Sequence, residues 1–380
     1  MGPLQGVRIV EFAGIGPAPL CAMLLADLGA TVIRVDRKTP SDIGLSRPLK
    51  YDLVLRNRKT IRVDLKDARG MALVHKLVDK ADAVIEGFRP GVMERLGLGP
   101  DACLSRNPKL VYGRVTGWGQ DGPLAHSAGH DINYIAITGV LNAIGRKDAA
   151  PTVPLNILGD YAGGSLYLAL GVLSGILEAR SSGKGQVVDT AIVDGVTSLM
   201  TILLGLWQAN MVSTERGSNL LDSGAPFYDV YACADGKYVS VGPIEGKFYR
   251  QLLEKLELDT PELQSPNDRN SWPRIRQAFS ERFKSQPRDY WVEKLEGSDT
   301  CFAPVLDFQE ALDHPQLKAR ETFIEVAGVV QPAPAPRFSR TRPATPTPPA
   351  EINSENAKAA LAGWLTSAEI SGCAASEAFI

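Results

Sequence analysis

The chain is poor in the residues that build staples and metal cages. Its 380 residues hold five cysteines and four histidines. The cysteines stand far apart, at 21, 103, 233, 301 and 373, and no two form a C-x-x-C pair. An odd, dispersed set argues against a disulfide framework or a zinc knuckle and fits a reducing compartment. Charge of one sign is also scarce: the net value is −2. That argues against a general nucleic-acid binder, since such a protein presents a basic face. Met1 to Phe12 lacks a basic stretch followed by an apolar one, and Ala378-Phe379-Ile380 is not an S-K-L address. The expectation is a cytoplasmic protein. Long apolar runs are missing too. The best, Tyr161 to Leu177, is broken by Gly163, Gly164, Gly171 and Gly175, and Glu178 and Arg180 follow it. It sits at the bottom of the range that spans a bilayer, so a buried helix and no membrane contact are expected.

What is present is ordinary for a globular protein: 44% hydrophobic and 22% charged residues. The length suits two domains with sizeable cores. Through the first 120 residues, apolar strands alternate with helical spacing. Val7–Phe12 reads as a strand, Pro17–Leu28 as a helix and Thr31–Arg37 as a strand. Lys66–Asp79 reads as a helix, Ala83–Glu86 as a strand, Gly91–Leu98 as a helix start and Lys109–Thr116 as a strand. This alternation predicts a parallel sheet with helices on its faces. Gly129 to Met211 reads as mostly helical, with one more strand at Gly185–Ile192. After the turn-rich Arg216–Ala225, the segments Phe227–Ala232 and Lys237–Val241 flank Asp235-Gly236, a hairpin signal. Helices follow near 246–256, 273–286 and 288–296. Gln331–Pro349 holds seven of the 26 prolines and reads as an extended strap. A short helix is expected at Glu355–Trp364. The domain division expected is 1–215 for a large first part, 225–320 for a small α/β domain and 330–380 for a return to the large one.

Five features are candidate sites. Gly14-x-Gly16 follows a strand and precedes a helix, and Asp36 ends the next strand, as in a dinucleotide-binding turn. Pro19 replaces the third glycine, and Pro17 and Pro19 remove N–H groups, so a plain tight turn is favoured. Basic residues cluster at the ends of these units: Arg34, Arg37, Lys38, Arg56, Arg58, Lys59, Lys66, Arg89 and Arg95. They read either as solvated charges or as partners of a phosphorylated ligand. His130 lies between a glycine loop and an apolar stretch, beside Asp131, as a proton-transfer candidate or a structural histidine. Asp160 opens the long apolar helix, either as a helix cap or as a functional carboxyl. Glu245 follows the second hairpin strand, where a first-turn acid is commonplace.

The ordered motifs G-V-R-I-V-E-F-A-G-I-G-P, A-D-L-G-A-T-V-I-R-V-D-R, E-G-F-R-P-G-V-M-E-R-L-G-L-G-P, T-G-W-G-Q-x-G-P, A-G-H-D-I-N-Y, P-L-N-x-x-G-D, G-K-G-Q-V-V-D, G-A-P-F-Y and V-G-P-I-E span the chain to about residue 250. Together they resemble the alpha-methylacyl-CoA racemase branch of the family III CoA-transferase fold. The resemblance implies a Rossmann-like large domain with a smaller α/β domain. It also implies an interlocked homodimer, with each site where one subunit's large domain meets the other's small domain. By matching residue, it makes His130 and Asp160 the proton-transfer groups, with Glu245 and Asp131 tuning and orienting His130. CoA contacts fall on Arg37, on Val63, Asp64, Leu65 and Lys66, and on Gly129, His130, Asp131, Ile132, Asn133 and Tyr134. Arg89 and Arg95 face the diphosphate. The segment Lys38–Tyr51 matches no motif.

The implied reaction interconverts the two hands of a 2-methylacyl-CoA by 1,1-proton transfer through an enolate. Backbone N–H groups near Asp160 would steady the enolate oxygen. The chemistry requires neither metal nor cofactor, the CoA thioester being the substrate. The main alternative is CoA transfer between carboxylic acids with Asp160 as nucleophile. A non-catalytic CoA-binding relative and a nicotinamide dehydrogenase are weaker alternatives.

Overall fold

The computed structural model describes residues 2–39 and 44–374. Part of the 38–51 segment and the extreme C-terminus, discussed above, lie outside the described residues. The chain divides into two compact units. The first is Met1–Thr138 with Leu155–Leu199 and Glu321–Ile380; the second is Gly139–Pro154 with Met200–Arg320. This corrects the expected division in two ways. The first boundary falls at residue 200, not near 215, and the loop 139–154 belongs to the second unit. The reason is polar. Arg146 pairs with the buried Asp229, and Arg216 donates to the carbonyl of Asn142 at 2.8 Å.

The first unit is built on six strands: β1 (Arg8–Phe12), β2 (Thr31–Asp36), β3 (Arg58–Arg62), β4 (Ala83–Glu86), β5 (Val111–Thr116) and β6 (Gln186–Ala191). All pair in parallel, in the order β3-β2-β1-β4-β5-β6. Strand alternation explains the two layers. Val10, Phe12, Ile33, Val35, Ile61 and Val84 face one core, closed by the Ala68–Val78 helix and by Ala357, Leu361 and Trp364 near the C-terminus. Ile9, Val32, Ala83, Ile85 and Val111 face the other, closed by the Pro17–Asp27 and Tyr167–Ser182 helices. A sheet buried on both faces needs apolar residues at successive positions, which is what the strands carry.

Strand β3 was not expected. Its sequence, Arg58-Lys59-Thr60-Ile61-Arg62, carries three cations and one aliphatic residue. It forms because Ile61 fills the core and Arg58 finds Glu11 of β1 at 2.5 Å, both side chains fully buried. Arg56, just before it, pairs with buried Asp27 at 2.5 Å and donates to the Pro332 carbonyl at 2.7 Å. Two of the basic residues read as ligand candidates are thus buried structural ions.

The second unit holds the antiparallel sheet β7 (Asp229–Ala232), β8 (Tyr238–Val241) and β9 (Phe302–Val305), in that order. The hairpin turns at Asp235-Gly236, where Gly236 has φ +78. Helices Gly246–Leu256, Trp272–Lys284 and Arg288–Leu295 pack Tyr249, Phe279, Phe283 and Trp291 beneath it. A small hairpin, β10 (Phe323–Val326) and β11 (Val329–Pro332), opens the return to the first unit. The proline strap then leads to the Ser354–Leu361 helix beside β3, where Lys59 donates to the Ala359 carbonyl at 3.3 Å.

The Ile157–Ser182 helix is long and apolar enough to cross a bilayer by length and composition alone. Leu168, Val172 and Ile176 on one of its faces are nevertheless buried in the core of the first unit.

Candidate active site

Order reverses between β1 and β4, and ligands of such sheets bind beyond the strand ends at that point. Beyond β1 the chain turns through Gly14, Ile15 and Gly16. Gly16 has φ +72, a backbone that favours glycine. A methyl group built there would lie 3.6 Å from Asp160 Oδ2. Asp160 therefore stands directly over the β1 turn. It sits in a π-helical turn, Ile157–Leu166, that runs on into the Tyr167–Ser182 helix. Such turns recur at functional sites because they re-aim side chains. The Ser165 hydroxyl donates to the Pro17 carbonyl at 2.8 Å, tying this turn to the β1 loop.

The next shell is Asp131, the first residue of the Asp131–Ile137 helix, whose side chain is buried. Its Oδ2 accepts the Asp160 N–H at 2.6 Å, and the Gly159 N–H is also directed to this carboxylate. A side chain at 159 would meet Asp131 Oδ2 at 2.4 Å, so glycine is required by close approach. Asp131, expected to tune and orient His130, has its carboxylate on the backbone of Asp160. The same contact occupies the Asp160 N–H.

His130 is the N-cap of that helix, and its backbone N–H donates to Asn133 Oδ1 at 3.0 Å. The imidazole is exposed. Tyr134 braces the loop: its hydroxyl donates to the Gly129 carbonyl, and its ring meets Trp118 edge-on at 4.7 Å.

Electrostatics separate the titratable groups. Burial pushes the Asp160 carboxyl up, opposed by the Asn156 amide donating at 3.3 Å. The Asp131 charge pushes it further up and the His130 charge opposes that. Burial raises Asp131 too, against the N–H groups it accepts. Both effects follow from the cost of a charge out of water. Asn156 and Ser165 were missed in the sequence. Asn156 stands four residues before Asp160, the one signal that could have found it.

The expected CoA contacts are placed as follows. Arg37 is exposed beyond β2 and Asp36 accepts its N–H at 2.8 Å. The Asp36 carboxylate also takes Arg34 at 2.9 Å, so it is spent locally instead of waiting for a ribose. Val63 is buried, Asp64 and Lys66 are exposed and Leu65 is half-buried. Arg89 and Arg95 are exposed in the loop after β4, and the Arg89 charge is felt at Tyr134. Ile132 and Asn133 are exposed on the His130 helix. His130, Asp131, Tyr134 and Asp160 are thus brought together in the first unit. Glu245 belongs to the second, exposed at the N-cap of the Gly246–Leu256 helix. A cavity of about 220 Å³ in that second unit is lined by Arg146, Asp229, Arg276 and Lys284 among others, and by no expected site residue.

Residues 4–355 match the pattern of CoA-transferase family III. The chain belongs to that family. It is 42% identical over 350 residues to the alpha-methylacyl-CoA racemase of Mus musculus, covering 90% of this chain and 88% of that one. It is 30% identical to the acetyl-CoA:oxalate CoA-transferase of Acetobacter aceti, covering 87% and 88%. The crystal structure of a CaiB/BaiF family protein from Brucella suis superposes with a TM-score of 0.81 at 26% identity, covering 96% and 100%. The family therefore includes proteins named for racemisation and for CoA transfer, and the site must choose between them.

Proposed function

We propose that this chain is an alpha-methylacyl-CoA racemase, interconverting (R)- and (S)-2-methylacyl-CoA. The observation that carries the reading is the juxtaposition of His130 and a burial-raised Asp160 at one strand-end site. Greater likeness to a racemase than to a transferase supports it.

Racemisation needs a base on one face of the α-carbon and an acid on the other. Neutral His130 takes the α-proton, the pair of the broken C–H bond moves into the thioester carbonyl, and the enolate oxygen carries the charge. Protonated Asp160 then returns a proton from the opposite face and is left as carboxylate. The opposite hand runs the same steps with the roles exchanged. Burial makes the Asp160 carboxyl easier to protonate than an exposed one, which favours delivery of a proton.

Binding is assigned by family likeness. Arg37, Val63 to Lys66 and Gly129 to Tyr134 take the CoA moiety, with Arg89 and Arg95 at the diphosphate. Val63, being buried, acts through its backbone. Asp131 acts on Asp160 and Glu245 on His130. The exposed apolar residues Leu166, Leu170 and Leu177 supply surface for a homodimer, and Glu245 then reaches the site from the second unit of the other subunit. The chemistry calls for no metal or separate cofactor.

The test uses one enantiomer of a 2-methylacyl-CoA in deuterated water, with no acceptor acid. The expected result is collapse of the α-methyl doublet together with inversion, lost in His130→Ala and Asp160→Ala. An unchanged doublet, with CoA moving only when an acceptor acid is added, overturns the racemase and installs the transferase.

A further inference from the structure

The loop carrying Arg89 and Arg95 is held at both ends by one buried guanidinium. Glu86 closes β4, with its side chain 1% exposed. Its Oε2 accepts the Phe88 N–H at 2.7 Å, and its Oε1 takes Arg114 Nε of β5 at 3.1 Å. Arg114 Nη1 reaches on to Glu94 Oε1 at 3.0 Å, in the Val92–Arg95 helix that ends the loop. Between these anchors the chain passes through Arg89, Pro90 and left-handed Gly91. A methyl on Gly91 would lie 3.1 Å from Arg95 Nη1, so the Arg95 head rests over this turn.

Such an arrangement is a poor way to gain stability. Buried ion pairs contribute little over a well-packed apolar set, and Arg114 Nη2 is buried without a partner. It is a good way to fix a loop's direction. We propose that Glu86, Arg114 and Glu94 are positioning residues that set the Arg89 and Arg95 loop for the diphosphate of a CoA thioester. The proposal rests on the functional reading above. It adds a second property. Burial pushes the Glu86 carboxyl to about 7. The groups facing it are Arg114 and Tyr112 of β5 and Glu94 of the helix, while β1 presents apolar Val10 and Phe12 on that side of the sheet. Ionised Glu86 holds both partners; protonation loosens them. Loop order should therefore improve as pH rises through about 7.

The experiment titrates CoA into full-length wild type, Glu86→Gln and Glu94→Gln by calorimetry between pH 6 and 8, and measures KM and kcat for a 2-methylacyl-CoA. Glu94 is half open to solvent, with its side chain 44% exposed, so its variant remains informative should the buried one misfold. The expected result is a dissociation constant and KM raised about tenfold, equal to about 1.4 kcal/mol, with kcat within twofold. The ratio of Glu86→Gln to wild-type dissociation constants should grow with pH, a comparison in which the ligand's own titration cancels. Wild-type binding with both variants equally tight overturns the clamp alone. A wild type that does not bind CoA overturns the functional reading and the clamp with it.

Discussion

Asp131 gives the sharpest test of the site's construction, because two roles for it predict different variants. In the structure its Oδ2 accepts the Asp160 N–H at 2.6 Å and the Gly159 N–H is directed to the same carboxylate, while Oδ1 is buried without a partner. Asn is nearly isosteric and keeps one oxygen for both donors. It loses only charge assistance, about 1 kcal/mol. Ala leaves two buried N–H groups unpaired at about 1–3 kcal/mol each, so a total near 3 kcal/mol is expected. Asp160 then shifts, and a misplacement of about 1 Å costs on the order of 100-fold in rate. Asp131→Asn should therefore retain kcat within about tenfold and Asp131→Ala should lose about 100-fold. Urea unfolding should separate the two by about 2 kcal/mol. Removing the negative charge also removes a cause of the raised Asp160 carboxyl, so the Asp160 limb of the pH profile should move to lower pH in the Asn variant. If Asn and Ala lose activity equally at unequal stability, the charge acts on His130 after all and the backbone role is refuted.

Further outcomes follow from the same geometry. Arg58→Met strands the fully buried Glu11 and should cost about 3–5 kcal/mol in denaturant unfolding without altering CoA affinity; loss of affinity at full stability would restore Arg58 as a ligand contact. Gly16→Ala forces an L-residue into φ +72 beside the Asp160 carboxyl, and should cost about 1–2 kcal/mol and lower kcat more than it raises KM. The pH dependence of stability carries a sign set by Glu86. Its folded value near 7 exceeds the ordinary 4.5, so the folded state holds the extra proton between these values. Stability from this group therefore falls as pH rises from about 4.5 to about 7, by about 3 kcal/mol in all. Glu86→Gln should flatten that slope, and an unchanged slope would refute the raised carboxyl.

Much of the first unit was legible. Five of the six strands end within a residue or two of their expected limits because doubly buried parallel strands announce themselves as apolar runs, and Ala83–Glu86 matches at both ends. Arg58–Arg62 was invisible because its stability comes from pairing with β2 and from Glu11, 47 residues away. The same distance misled the reading of Arg56, whose partner Asp27 lies 29 residues back. The 139–154 loop looked continuous with its neighbours because nothing local records that Arg146 reaches Asp229. At the site, motif resemblance singled out His130 and Asp160. It did not record that the helix start turns the Asp131 side chain toward a backbone 29 residues ahead.

One family that includes proteins named for racemisation and for CoA transfer raises the question of what a single carboxyl position can do. As a nucleophile Asp160 must be ionised; as a proton donor it must not be. Four features of this chain act on that balance. Burial and the Asp131 charge both favour the protonated form, while the Asn156 amide and the His130 charge favour the carboxylate. Both forms of the group thus have partners in the site, which suits a reaction that must run in both directions through the same pair. A group meant only to attack would gain from losing Asp131's charge. Here that charge is retained because the same carboxylate fixes the backbone of Asp160. The anchor that places the acid is therefore also a charge that favours its protonated form, and removing either property by mutation should expose the other.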